Sequence, residues 1–181
     1  MAALYTVAFP ELSAAARAQI DAIRTRHDTR NARIIPPHFT LVFACSALDE
    51  RDYLDHVRAI AGRTPRVPFI CRTARLGPAG DSAAALVFIV PDEGFSRIAL
   101  LHASLYEGPL APHLRHDPPY VPHITIGSFD MHAEAEDLCK QSNAQGMMIE
   151  GTLDALSVGS LHEDRFRTHA TYSLQGGAIV E

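Results

Sequence analysis

Apolar positions recur along this chain at two spacings, and the switches between them mark out its elements. The run Ala2-Ala3-Leu4-Tyr5-Thr6-Val7-Ala8-Phe9, stopped by Pro10, predicts a first strand. Residues from about 11 to 27, rich in alanine, arginine and glutamine, have the propensity of a helix. An arginine-rich loop follows, then Pro36-Pro37 and a strand from His38 to Phe43. Leu54, Val57 and Ile60 fall on one side of a helix predicted over about 49 to 62, with Gly62 as its stop. Two strand-like runs, about 67 to 76 and 84 to 90, flank a turn at Gly77-Pro78-Ala79-Gly80-Asp81.

The second half repeats this order. Pro91-Asp92-Glu93 opens a helix whose Phe95, Ile98, Leu101 and Leu105 keep helical spacing. A loop rich in proline and histidine leads to Pro122 and a strand from His123 to Ser128. A helix over about 132 to 145 is closed by Gly146, and strands over about 147 to 161 and 166 to 174 flank His162-Glu163-Asp164-Arg165. His38 and Phe88 lie 50 positions apart, and His123 and Tyr172 lie 49 apart. One order occurring twice predicts a single domain, residues 1–181, built of two similar lobes of about 11–90 and 91–175 with the first strand, 2–9, added. A pseudo-twofold axis then relates the lobes across a shared groove.

The strand in each half opens with the same four-residue pattern, His38-Phe39-Thr40-Leu41 and His123-Ile124-Thr125-Ile126. Residues i and i+2 of a strand share a face, so His38, Thr40 and Val42 point one way and Phe39, Leu41 and Phe43 the other. His123 and Thr125 likewise share a face, with Ile124 and Ile126 turned to the core. An imidazole beside a hydroxyl on an apolar-backed strand suits in-line attack at phosphorus. A neutral imidazole takes a proton from the attacking oxygen, and a protonated one gives a proton to the departing oxygen. The threonine hydroxyls donate to the non-bridging oxygens, where charge is held. His123 is assigned as the base and His38 as the acid, an assignment the pseudo-symmetry leaves reversible. No metal and no cofactor is required. Among the 10 histidines one such pattern is unsurprising, but two arise by chance in roughly one such chain in a hundred.

The two segments Pro-His-Phe-Thr-Leu-Val-Phe and Val-Pro-His-Ile-Thr-Ile resemble the paired signatures of the two-histidine (2H) phosphoesterases, which include 2′-5′ RNA ligase-like proteins and cyclic nucleotide phosphodiesterases. The resemblance spans nearly the whole chain. It implies a bilobal α+β fold, with antiparallel sheets lining a central groove and helices outside. It also implies hydrolysis, or reversible ligation, of 2′,3′-cyclic or related cyclic phosphodiesters, with His38, Thr40, His123 and Thr125 as the catalytic set. One departure stands out. Some RNA-directed members carry a basic residue shortly after the second motif, where this chain has Gly127-Ser128-Phe129-Asp130.

Composition narrows the partner. The 181 residues are 47% apolar and 20% charged, which provides a core for one soluble domain. No run approaches the roughly 20 apolar residues of a membrane span, and the N-terminus lacks a signal-peptide pattern, so a cytoplasmic, membrane-free protein is expected; the sequence leaves the oligomeric state open, with a monomer favoured. Cys45, Cys71 and Cys139 are odd in number and widely spaced, which predicts reduced, partly buried thiols. A net charge of −5 argues against a grip on long duplex nucleic acid. It fits a small cyclic nucleotide or a short RNA end better. Arg24, Arg26, Arg30 and Arg33 read as a solvated helix and loop face.

The remaining candidates are weaker. His113, His116 and Asp117 match no helical zinc spacing and read as a surface loop near the groove. In or beside that loop, Arg115 and Tyr120 are candidates to touch a substrate phosphate or base, and Tyr5 on the first strand is another. His102 reads as structural and His132 as a helix start. Neither a phosphate-cradling glycine loop nor a G-x-S-x-G elbow is present, which argues against ATP-driven ligation and leaves serine hydrolysis unsupported. A different class remains open: a nucleotide or RNA-end binding protein that uses the same groove without turnover.

Overall fold

The computed structural model describes residues 2–77 and 84–175; Pro78 to Asp81 of the predicted turn lie outside the described residues. The chain begins with strands β1 (Leu4–Ala8) and β2 (Glu11–Leu12), followed by helices α1 (Ala14–His27) and α2 (Thr29–Ile34). Strand β3 (Phe39–Cys45) carries the first motif and leads to helix α3 (Glu50–Ala61). Strands β4 (Val67–Leu76) and β5 (Ala85–Glu93) precede helix α4 (Phe95–Leu105) and a 3₁₀ turn, Gly108–His113. Strand β6 (Ile124–Phe129) carries the second motif, and helix α5 (His132–Ala144) and strands β7 (Ile149–Leu153), β8 (Ala155–His162) and β9 (Arg165–Ser173) complete the chain.

Two antiparallel sheets result, one ordered β3-β1-β8-β9 and the other β2-β7-β4-β5-β6. Helices α3 and α4 pack on the first sheet; α1 and α5 pack on the second. The architecture is the expected α+β duplication. The halves of the chain do not map onto the sheets one for one, because each sheet takes strands from both halves. The order β3-β1-β8-β9 corresponds to β6-β5-β4-β7, so each motif strand lies at a sheet edge. Phe88 and Tyr172 are therefore not equivalent: Phe88 lies on β5, beside a motif strand, and Tyr172 on β9, at the opposite edge of its sheet.

Four boundaries differ from expectation, each for a local reason. Glu11 and Leu12 pair with Thr152 and Gly151, so the first long helix starts only at Ala14, where the Ser13 hydroxyl caps it by accepting the Ala16 N–H at 3.2 Å. Part of the predicted arginine-rich loop is the short helix α2. Strand β5 runs through Glu93 instead of yielding to a helix at Pro91, because Asp92 and Glu93 pair across the sheet with Arg72; Gly94, at φ 84°, then turns the chain into α4. The run read as one strand over 147 to 161 breaks at Asp154. β7 belongs to one sheet and β8 to the other, so this one residue carries the chain between them.

Both motif strands contain a bulge at the same place. β1 advances one residue from Thr6 to Val7 while β3 advances two, from Val42 to Thr40, leaving Leu41 as the extra residue. β5 advances from Val87 to Phe88 while β6 passes from Gly127 to Thr125, leaving Ile126. A bulge reverses the facing of everything beyond it. Val42 is accordingly buried in the core and Phe43 turns out toward the groove, the reverse of simple alternation.

Because β3 is an edge, its outward backbone groups need partners from elsewhere. They come from α4 and the segment before β6. His102 Nδ1 donates to the carbonyl of the bulged Leu41 at 2.8 Å, the Tyr120 hydroxyl donates to the Thr40 carbonyl at 3.0 Å, and the Phe43 N–H donates to the Tyr106 hydroxyl at 3.1 Å. The rings stack as well, His102 on Tyr120 with centroids 3.6 Å apart and planes 5° from parallel. His102 is thus structural, as its place on an apolar helix face predicts. Replacing Tyr106 with Phe removes one brace while keeping the ring. It is expected to lower stability by about 1 kcal/mol, read as a fall in the urea midpoint with an unchanged slope.

Candidate active site

His38 and His123 stand one residue ahead of their strands, each directly after a proline. Each ring is held the same way. His38 Nδ1 lies 2.8 Å from the Pro36 carbonyl, and His123 Nδ1 lies 2.6 Å from the Val121 carbonyl. A carbonyl only accepts, so both Nδ1 atoms carry the hydrogen and both Nε2 atoms are left for chemistry. Proline before each histidine restricts the preceding residue to extended backbone, which places that carbonyl two residues back within reach of the ring. His123 also stacks on Phe88, centroids 3.6 Å apart with an 18° interplanar angle, and Phe9 meets His38 edge-on at 6.3 Å.

Both imidazoles are held below the ordinary histidine value of 6.5. For His38 burial is the main cause. The Pro36 carbonyl opposes it, while the charges of Arg24 and His123 add to it, and the ring is brought to about 4. For His123 burial again dominates, opposed by the Val121 carbonyl.

Two cavities meet these rings. One, of about 240 Å³, is lined by His38, Thr40 and Thr125 together with Tyr5, Arg24 and Asp28. The other, of about 260 Å³, is lined by His123, Phe43, Phe88, Tyr106, Arg115 and Tyr120, among others. All seven residues singled out from sequence thus line one or the other. Tyr5 falls on the His38 side, and Arg115 and Tyr120 on the His123 side. Tyr120 has little freedom, since its hydroxyl is engaged by Thr40 and one ring face is covered by His102. A larger open depression of about 780 Å³, bounded by Glu11, Glu93, Arg97 and Glu150, contains none of the motif residues. Among the described residues no group of three or more histidine, cysteine or acidic side chains is placed to hold a metal ion, and no helix is long and apolar enough to cross a membrane. The three cysteines are free.

Sequence reading missed three polar residues in the first cavity. Arg24 is 3% exposed and Asp28 2%, far from the solvated face assigned to the arginine cluster. Arg24 Nε donates to Asp28 Oδ2 at 3.2 Å, Arg24 Nη2 donates to the Ile35 carbonyl at 3.0 Å, and Asn31 Nδ2 donates to Asp28 Oδ1 at 2.7 Å. Burial raises the Asp28 carboxyl, opposed by Asn31 and Arg24. A signal was present: Ala16, Ile20, Arg24 and Asp28 recur every four residues, so the ion pair continues the buried stripe of α1. Phe43 escaped notice for another reason, since only the bulge brings it to the groove.

Comparison with known proteins supplies the family and the fold. A provisionally named phosphoesterase of Oceanobacillus iheyensis is 30% identical over 138 residues, covering 75% of this chain and 77% of that protein. Another from a Geobacillus species is 30% identical over 158 residues, covering 86% and 80%. Among solved structures, TT0787 of Thermus thermophilus superposes with a TM-score of 0.62 at 17% identity, and Escherichia coli LigT in apo form with 0.58 at 19%, each match covering 96% of this chain and 98% of the other. LigT has also been crystallised with NADP+, with 3′-AMP, with ATP and with phosphate. The model of the 2′-5′ RNA ligase superfamily matches residues 10–165. With most of its length matched and both histidine motifs lining cavities, the chain belongs to the 2′-5′ RNA ligase superfamily of phosphoesterases.

Proposed function

We propose that the protein is a metal-independent phosphoesterase that opens 2′,3′-cyclic or related cyclic phosphodiesters of nucleotides or short RNA, or joins them in reverse. The observation that carries this reading is the matched pair of imidazoles, each with Nδ1 committed to a backbone carbonyl and Nε2 left free, at cavities of which the His38 one is also lined by Thr40 and Thr125. In the hydrolytic direction one neutral ring takes a proton from water as its oxygen bonds to phosphorus. The P–O bond to a ribose oxygen breaks, and the other ring, protonated, supplies that oxygen with a proton. Thr40 and Thr125 donate to the non-bridging oxygens. The positive charge of Arg24 beside His38 favours a neutral ring there, which supports His38 as the base and His123 as the acid, the reverse of the assignment drawn from sequence. The aromatic cavity next to His123 suits a nucleobase, and 3′-AMP bound to LigT is a ligand of the same class.

Replacing His38 or His123 with Ala is expected to cut turnover of a 2′,3′-cyclic mononucleotide by about 10²-fold or more, with the circular dichroism spectrum retained and with no effect of EDTA on the parent. Wild-type turnover in either variant would overturn the mechanism. Saturable binding without product, across cyclic mononucleotides and RNA ends bearing a cyclic phosphate, would instead favour a binding protein.

The pH dependence has a definite sign. Both rings lose their proton below 6.5 in the free protein, yet the reaction needs one of them protonated. The free-protein parameter kcat/KM should therefore peak on the acidic side of 6.5 and fall as pH rises through the lowered value of the acid. The bound phosphodiester anion raises an adjacent imidazolium's pKa, so kcat should persist to higher pH than kcat/KM. Full pH profiles of both parameters check this, and coincident alkaline limbs would contradict it.

A further inference from the structure

A groove that receives a phosphodiester must attract one negative charge, and neither imidazole supplies a positive one in the free protein. On the His38 side the fixed charges lining the cavity are Arg24 and Asp28. Asp28 stands behind the guanidinium: its side chain is 0% exposed, and its two oxygens are taken by Arg24 and Asn31. It faces the arginine, not the open space. Arg24 itself is anchored at two of its three nitrogens, Nε by Asp28 and Nη2 by the Ile35 carbonyl. Among the described residues no buried side-chain nitrogen or oxygen lacks a partner. Nη1, which donates to no protein acceptor, is therefore open to the cavity it lines with His38, Thr40 and Thr125.

A buried, doubly tethered guanidinium with one free edge is a preorganised anion site, because holding it in place costs little further entropy when the ligand arrives. We infer that Arg24, projecting from α1 and held by Asp28, Asn31 and the Ile35 carbonyl, is the residue that binds the substrate's phosphoryl oxygen on the His38 side of the groove. The same residue also steadies the histidine, since the Ile35 carbonyl it grips is adjacent to the Pro36 carbonyl that orients His38.

The inference rests on the phosphoesterase reading for its substrate, but its test is binding, not turnover. Removing Arg24 alone would strand Asp28 in the interior, so the informative variant is the pair Arg24→Met with Asp28→Leu, which exchanges the ion pair for apolar side chains. Calorimetric titration of the parent and the variant with 3′-AMP and with uncharged adenosine is expected to show a roughly tenfold or greater loss of 3′-AMP affinity with adenosine affinity unchanged. A purely structural ion pair would change stability and leave the preference for 3′-AMP over adenosine intact, and that result overturns the inference. If the double variant does not fold, the parent decides: titration with inorganic phosphate must shift the guanidinium NMR resonances of Arg24, and unmoved resonances at saturation overturn it. Arg24-dependent 3′-AMP binding in a protein without turnover would sustain this site while refuting the catalytic reading.

Discussion

An edge strand leaves half of its backbone hydrogen-bonding groups without a neighbour, and both motif strands of this protein are edge strands. Everything around the groove answers that constraint. On β3 the exposed groups at Thr40, Leu41 and Phe43 are met by Tyr120, His102 and Tyr106, all from the stretch that leads into the second motif. Helix α1, which leads into the first motif, packs against β6 in return. Each motif strand is thus supported by the segment that introduces the other, and neither His–Thr pair is built by its own half of the chain alone. The interleaving also explains why the crossing at Asp154 matters. It returns the chain to the first sheet, so that β8 and β9 extend the sheet whose far edge is β3.

The chemistry of the groove depends on the same supports. Committing Nδ1 of each ring to a carbonyl fixes the tautomer, and partial burial keeps both rings neutral in the absence of a ligand. A neutral pair is half of what acid–base catalysis at phosphorus needs. In the proposed mechanism an anion bound beside the rings favours the missing proton, which links substrate binding to the protonation of one imidazole. The Arg24 guanidinium, buried and tethered on the His38 side, is a charge that does not depend on the state of either histidine.

Much of this was legible from residues alone, and the exceptions share a cause. The two His-x-Thr strands and the helix after each follow from periodicity and motif. The bulges at Leu41 and Ile126 do not, because which residue is left over depends on the partner strand, and with them went the true facing of Val42 and Phe43. Asp92 and Glu93 look like a helix start until Arg72 is seen across the sheet. Arg24 was hidden by its arginine neighbours in sequence, although its spacing from Ile20 and Asp28 carries the pattern of a buried position. Local chemistry predicts what local chemistry decides, and in these cases a residue distant in sequence or one turn away on the helix decides instead.

The duplication is symmetric in backbone and asymmetric in what surrounds the two histidines. Beside His38 lies a polar wall with a tethered arginine; beside His123 lie Phe88, Phe43 and a proline-bounded aromatic pocket. A nucleotide has the same division, with charge on one side of the reacting phosphorus and an aromatic base on the other. Two equal histidines do not by themselves distinguish the directions in which such a substrate enters. The unequal walls do, since reversing it would place a base against a buried ion pair and move the phosphoryl charge from a tethered guanidinium to a mainly aromatic wall whose charged residue is the exposed Arg115. In the proposed mechanism the order of proton transfer is then set by neighbours that the pseudo-symmetry does not repeat, because the surroundings of the two motifs differ in polarity.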